Sequence, residues 1–142
     1  MAGVVTNPIF KQDGQYLSFT VKTAPIILGE VVMLNNDGTV SGATTATTTV
    51  IGVAVSGNRV SRCATNDTVA VGDLVTVLTR GVVFVTVGDG AVDEGTLVEA
   101  FTTGTIRTHT PGAATYGAVL GKCLVAGTLA PVVQAQVLLT IV

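Results

Sequence analysis

Residues 69–87 read VAVGDLVTVLTRGVVFVTV, and the reading of this stretch decides the fold. It is almost unbroken Val, Leu, Thr and Phe, punctuated by Gly72-Asp73 and Arg80-Gly81. From Leu74 to Thr79 and again from Val82 to Val87, apolar residues occupy both alternation classes, so each segment is expected to be a strand covered on both faces. Such a strand belongs inside an assembly. Arg80-Gly81 admits two readings: a hairpin turn in which glycine takes a positive φ, or a bulge within one long strand.

Working outward, a chain of 142 residues makes one domain with room for a buried core. Valine and threonine supply about a third of it, and β-branched side chains lose χ1 freedom in a helix but pack well on a pleated sheet. No stretch of ten or more residues carries a capped apolar stripe of helical period. The expected class is all-β. Only 11 % of the residues are charged, whereas the surface of a soluble monomer carries about 25–35 %, so much of the surface is expected to be buried against other subunits.

Membrane and nucleic acid are both disfavoured as partners. No run approaches the roughly 18 apolar residues of a spanning helix. With aromatics at 4 % and no Trp, the aromatic girdles of an outer-membrane barrel are missing. Met1 to Val5 has neither a basic region nor a long apolar one, so no signal peptide is expected, and the sequon at Asn66-Asp67-Thr68 is expected to be inert. A net charge of −2 offers no electrostatic footprint for nucleic acid. Arg59 and Arg62 read as a solvated loop face. Cys63 and Cys123 lack CxxC spacing and read as buried free thiols of a protein made in a reducing cytoplasm.

Along the chain, residues 1–22 stand apart as an N-terminal arm, and 23–142 form the β-domain. The arm holds Phe10, Tyr16 and Phe19, and Leu17, Phe19 and Val21 alternate with Ser18, Thr20 and Lys22 in the pattern of a half-buried strand. Phe10, Tyr16, Leu17 and Phe19 are the candidate anchors of an arm that reaches a neighbouring chain and adds a strand to its sheet. Gly29-Glu30 then opens the strand Val31 to Leu34, Asn35-Asn36-Asp37-Gly38 supplies hairpin residues, and Val50 to Val55 is a short buried strand in which Gly52 signals a bulge or a close approach. The second half restates these phrases with Glu94-Gly95 before Leu97-Val98 and Gly121 inside Val119 to Leu124, which suggests an internal duplication. Thr102 to Tyr116, the longest polar excursion, is the candidate exposed loop.

Chemistry is scarce. His109 is the single histidine, so no histidine metal cage is expected; beside Pro111-Gly112 it reads as an exposed loop residue. A Cys–His dyad would need Cys63 or Cys123 beside it. Glu30, Asp73 and Glu94 each touch a glycine at a strand entrance, which is turn chemistry. Asp89, Asp93 and Glu94 lack the regular spacing of a calcium loop, and the glycines near them open no phosphate-binding helix. No catalytic residue, metal or cofactor is expected, so the profile is that of a structural or assembly protein.

The succession Gly29-Glu30-Val31-Val32, Asp37-Gly38, Val50-Ile51-Gly52-Val53-Ala54, Val69 through Val83, Gly95-Thr96-Leu97-Val98 and Leu120-Gly121 resembles the capsid cement, or head decoration, proteins of tailed bacteriophages. The resemblance covers about residues 25–142. The sequence departs from it in the Thr-rich segments 43–49 and 102–115 and at Lys122-Cys123-Leu124. It implies a small β-barrel or β-tulip, or a sandwich of short strands, commonly trimeric, on the capsid exterior at local threefold axes. The implied partners are the major capsid protein and further copies of the chain as a homotrimer, with no enzyme activity. A tail-tube or spike-associated β-protein, and a soluble β-barrel binding or accessory module, are the alternatives.

Overall fold

The computed structural model describes residues 14–44, 49–58, 61–62, 67–112 and 118–141. In chain order the strands are β1 (Gln15–Thr20), β2 (Ile26–Ile27), β3 (Val31–Leu34), β4 (Val40–Gly42), β5 (Val50–Gly57), β6 (Ser61–Arg62) and β7 (Asp67–Val69). They continue as β8 (Leu74–Val85), β9 (Ala91–Val92), β10 (Leu97–Ala100), β11 (Ile106–Thr108), β12 (Val119–Val125), β13 (Gly127–Thr128) and β14 (Ala135–Leu139), with a 3-10 turn at Thr102–Gly104. The chain is thus all-β, as its Val- and Thr-rich composition requires. A curled antiparallel sheet runs in the order β11-β10-β12-β14-β8-β5-β3-β4, and β1 also pairs with β8. No helix among the described residues is long and apolar enough to cross a membrane.

Arg80-Gly81 is not a turn. β8 runs straight through it for 12 residues, and Gly81, at φ +131°, supplies a bend where a side chain would come within 3.2 Å of Gly14 Cα. The residues Val75 to Leu78 pair with both β1 and β5, so those two strands flank the first half of β8 on opposite edges. β14 pairs with its second half, from Gly81 to Val85. This is the doubly covered strand that its sequence demands.

The register reveals an internal duplication, with the boundary inside β8. In the first copy Val32 lies opposite Gly52 with a bulge one step later, Val53 opposite Leu78 and Ala54 opposite Val77. In the second, Val98 lies opposite Gly121 with a bulge at the same step, Lys122 opposite Leu138 and Cys123 opposite Val137. The correspondence extends to isolated contacts: the parallel bridge Val21 to Val40 recurs as Val87 to Ile106, and Gly29 N to Ala54 O recurs as Gly95 N to Cys123 O. It also extends to the ends. Leu17 opposite Val77 and Phe19 opposite Val75 recur as Val83 opposite Val137 and Val85 opposite Ala135. The first copy therefore runs from β1 to the first half of β8, and the second from the second half of β8 to β14.

Each copy has an inner sheet face, covered by its own small sheet, and an outer one. In the first copy Val32, Ala54, Val75 and Val77 pack under Ile26 of β2 and Val69 of β7 as one buried cluster. The larger cluster joins the copies: Val31, Val53 and Leu78 from the outer face of the first are continuous with Val83, Val85, Leu120 and Leu139 from the inner face of the second. Burial of this apolar surface is what makes two similar units a single body.

Candidate functional site

β1 carries three of the four residues singled out from the sequence, while Phe10 lies outside the described residues. Alternation along the strand sends Leu17 and Phe19 to the inner face and Tyr16 to the outer one. Leu17 and Phe19 line an apolar groove of about 750 Å³ together with Leu34, Val50, Ile51 and Ile141. Tyr16 lies instead in a recess of about 500 Å³ beside Leu78, Val82, Phe84 and Gln134. The four candidates therefore do not form one patch. The other groove residues come from three distant segments, and no local pattern marks them as neighbours of the arm.

β1 is also an edge. Among the described residues its only sheet partner is β8, which leaves its second edge for another chain to pair with. Tyr16 and Leu17 are each about half exposed, on opposite faces.

The polar chemistry of the chain converges at one place. Glu99 of β10 is buried, and its Oε2 accepts hydrogen bonds from Arg107 Nε at 3.2 Å and Nη2 at 3.1 Å while its Oε1 lies 2.9 Å from His109 Nδ1. The Arg107 guanidinium also sits 4.6 Å above the centre of the Phe101 ring. His109 is therefore not the exposed loop residue that the flanking threonines and Pro111-Gly112 suggest, because the β10–β11 pairing brings it over Glu99. The counterparts of Glu99, Arg107 and His109 in the first copy are Met33, Ser41 and Ala43, matched by the two hairpin registers. A trio replaced by apolar and small residues in the sister copy is a local packing solution, and it lacks a nucleophile.

Cys123 does not supply one. It is a buried free thiol on the inner face of the sheet, away from Glu99, and its Sγ donates to Val125 O at 3.2 Å. Burial pushes its pKa up, and the nearby charges of Glu94 and Asp93 add to that, so the reactive thiolate is suppressed. Cys63 lies outside the described residues. Glu30, at its strand entrance, accepts a hydrogen bond from Ile27 N at 2.7 Å, and burial raises its pKa above the usual carboxylate range. The Asp37 carboxylate at the first hairpin tip is held below that range by Lys22 and then by Thr39. Asp89, Asp93 and Glu94 do not gather: among the described residues no three His, Cys, Asp or Glu side chains are placed to hold a metal ion.

What the geometry offers is thus surface: a strand edge with no partner among the described residues and an apolar groove beside it. The sequence model of the XM1 gp53 minor capsid protein family matches residues 2–140 of the chain. None of the curated proteins matches it.

Proposed function

Because this chain belongs to the XM1 gp53 minor capsid protein family, it is a structural protein of a phage capsid, and we propose that it decorates and stabilises the outer surface of that capsid. It acts without catalysis, as a cement subunit. A homotrimer bridges neighbouring major capsid proteins, with residues 1–22 as the docking arm, anchored to the first β-unit through β1, and 23–142 as the rest of the β-domain. The observation that carries this reading is β1, an edge strand that exposes Tyr16 and Leu17 on opposite faces in a member of a capsid family. An unpaired edge accepts a strand from a neighbour, and the half-exposed Tyr16 ring beside it serves as an anchor. Many copies, each weakly held across a joint between shell subunits, stabilise the shell by mass action.

The test is co-sedimentation with empty, expanded phage heads. The parent chain is expected to bind, and Phe10→Ala combined with Tyr16→Ala is expected to lower head occupancy at least tenfold while leaving circular dichroism unchanged. Unchanged occupancy in the double variant would remove the arm from the account. A parent chain that ignores heads would remove the cement role itself.

A further inference from the structure

The junction between the two copies uses two surfaces, and the chain carries a second instance of each that the junction leaves in solvent. Inside the chain, the outer face of the first copy is continuous with the inner face of the second as one buried cluster. The counterparts of the buried outer residues Val31, Val53 and Leu78 are Leu97, Lys122 and Leu138, set by matching registers, so the second outer face repeats the two flanking apolar residues and carries a lysine between them. Leu97 is 44 % exposed where Val31 is 0 %, and Leu138 is 37 % exposed where Leu78 is 3 %. The receiving side mirrors this. Leu17 is 54 % exposed where its counterpart Val83 is 8 %, and Leu17 lines the open groove with Phe19, Leu34 and Ile51, whose counterparts Val85, Ala100 and Leu120 are buried.

The hairpin tips repeat the asymmetry. Gly104, at the tip between β10 and β11, donates its N–H to Ala43 O at 3.0 Å, and a Cβ there would fall 2.5 Å from Glu30 Oε2. Its counterpart Gly38, between β3 and β4, has nothing within 4 Å of a built Cβ. Among the described residues, each chain therefore holds one filled socket and one empty one, and one buried plug and one bare one.

We propose that the empty groove takes a second copy of this chain. The outer face of its second sheet, through Leu97, Val119 and Leu138, seats against Leu17, Phe19, Leu34 and Ile51 as the outer face of the first sheet seats inside the chain. The tip at Gly38 then meets the partner's strand end at His109, the counterpart of Ala43. The occupant is argued from fit: the two bare surfaces descend from a pair that already packs together within one chain, and joining them removes from water the apolar residues that the intrachain junction does not cover. Such an interface is head-to-tail, so it must close into a ring to give a finite particle. A trimer closed this way presents six β-units in a circle. The inference rests on the self-association in the function proposed above and not on the capsid contact.

Light scattering on the full chain, on Leu17→Asp and on Leu97→Asp combined with Leu138→Asp tests it. The expected result is a ring mass for the parent and a monomer for each variant. An equal mixture of the two variants is expected to give a dimer and nothing larger, since each brings one intact surface. Formation of that dimer also shows that both variants are folded. Either variant keeping the parent mass, or a mixture that stays monomeric, overturns the proposal. So does loss of the ring on removing residues 1–13 alone, which would make the N-terminal segment, reaching into a neighbour, the part that joins the chains. Sedimentation with heads separates this inference from the capsid role: a parent that binds heads as a monomer overturns the ring and keeps the cement, whereas rings that ignore heads support the interface and overturn the cement.

Discussion

Gly52 and Gly121 are where the duplication is enforced atom by atom. A Cβ on Gly52 would lie 2.1 Å from the backbone oxygen of Leu78, and one on Gly121 would lie 1.9 Å from that of Leu138. Backbone of a paired strand cannot retreat without breaking its ladder, so each position admits hydrogen alone. Gly38 offers the contrast, with a positive φ of +84° but open space around it. Gly52→Ala and Gly121→Ala are each expected to cost about 3 kcal/mol, the upper part of the range for overpacking, and to leave most of the protein insoluble. Gly38→Ala meets only the backbone penalty of about 1–2 kcal/mol for a left-handed residue and is expected to remain soluble. Chemical denaturation of the three variants decides it; equal midpoints would mean that the strand-to-strand approach is looser than the geometry indicates.

At the scale of the element, β10 and β11 show how one strand pair solves the same position in two ways. Glu99, Arg107 and His109 stand where β3 and β4 with the following residue place Met33, Ser41 and Ala43. Replacing Glu99 by Met alone removes the carboxylate that Arg107 and His109 both contact, at a site where the Arg107 side chain is largely buried, and losing one member of a buried ion pair costs about 3 kcal/mol. Exchanging all three, as Glu99→Met, Arg107→Ser and His109→Ala together, removes the guanidinium and imidazole along with the carboxylate and is expected to recover most of the loss. A triple variant no more stable than Glu99→Met would show that the ionic trio does something the sister copy does without. The same elements mark how far the sequence could be read. The strand at Val31 to Leu34, the hairpin at Asn35 to Gly38 and the glycine in Val50 to Val55 are local signals of period and turn chemistry, and the strands and turns stand where those signals place them. The halves' resemblance is visible in the glycines, Gly29 and Gly95, that open the matching strands. That Glu99 carries His109, that Arg80-Gly81 lies within a strand, and that Leu17 shares a groove with Ile51 and Ile141 all depend on which distant strands pair, and no local pattern encodes that.

For the whole molecule, the boundary inside β8 has a thermodynamic consequence. The two copies share a strand covalently, and the large buried cluster draws Val31, Val53 and Leu78 from one and Val83, Leu120 and Leu139 from the other. Neither copy can unfold without exposing the apolar surface of its sister, so the cost of opening either is the cost of opening both. A duplicated protein with a small, hydrated and polar junction would melt in two steps; this one is expected to melt in one. Leu78→Ala is the sharpest probe, because Leu78 is a first-copy residue buried in the shared cluster. The substitution is expected to cost about 2–5 kcal/mol. Read by hydrogen exchange at fixed protein concentration, that loss should appear equally at amides around Val32 and Val77 in the first copy and around Val98 and Val137 in the second. Loss of protection confined to one copy would make the two units independent foldons. The shared strand would then be a tether and not a core, and head-to-tail packing between copies would have to be explained without the intrachain junction as its template.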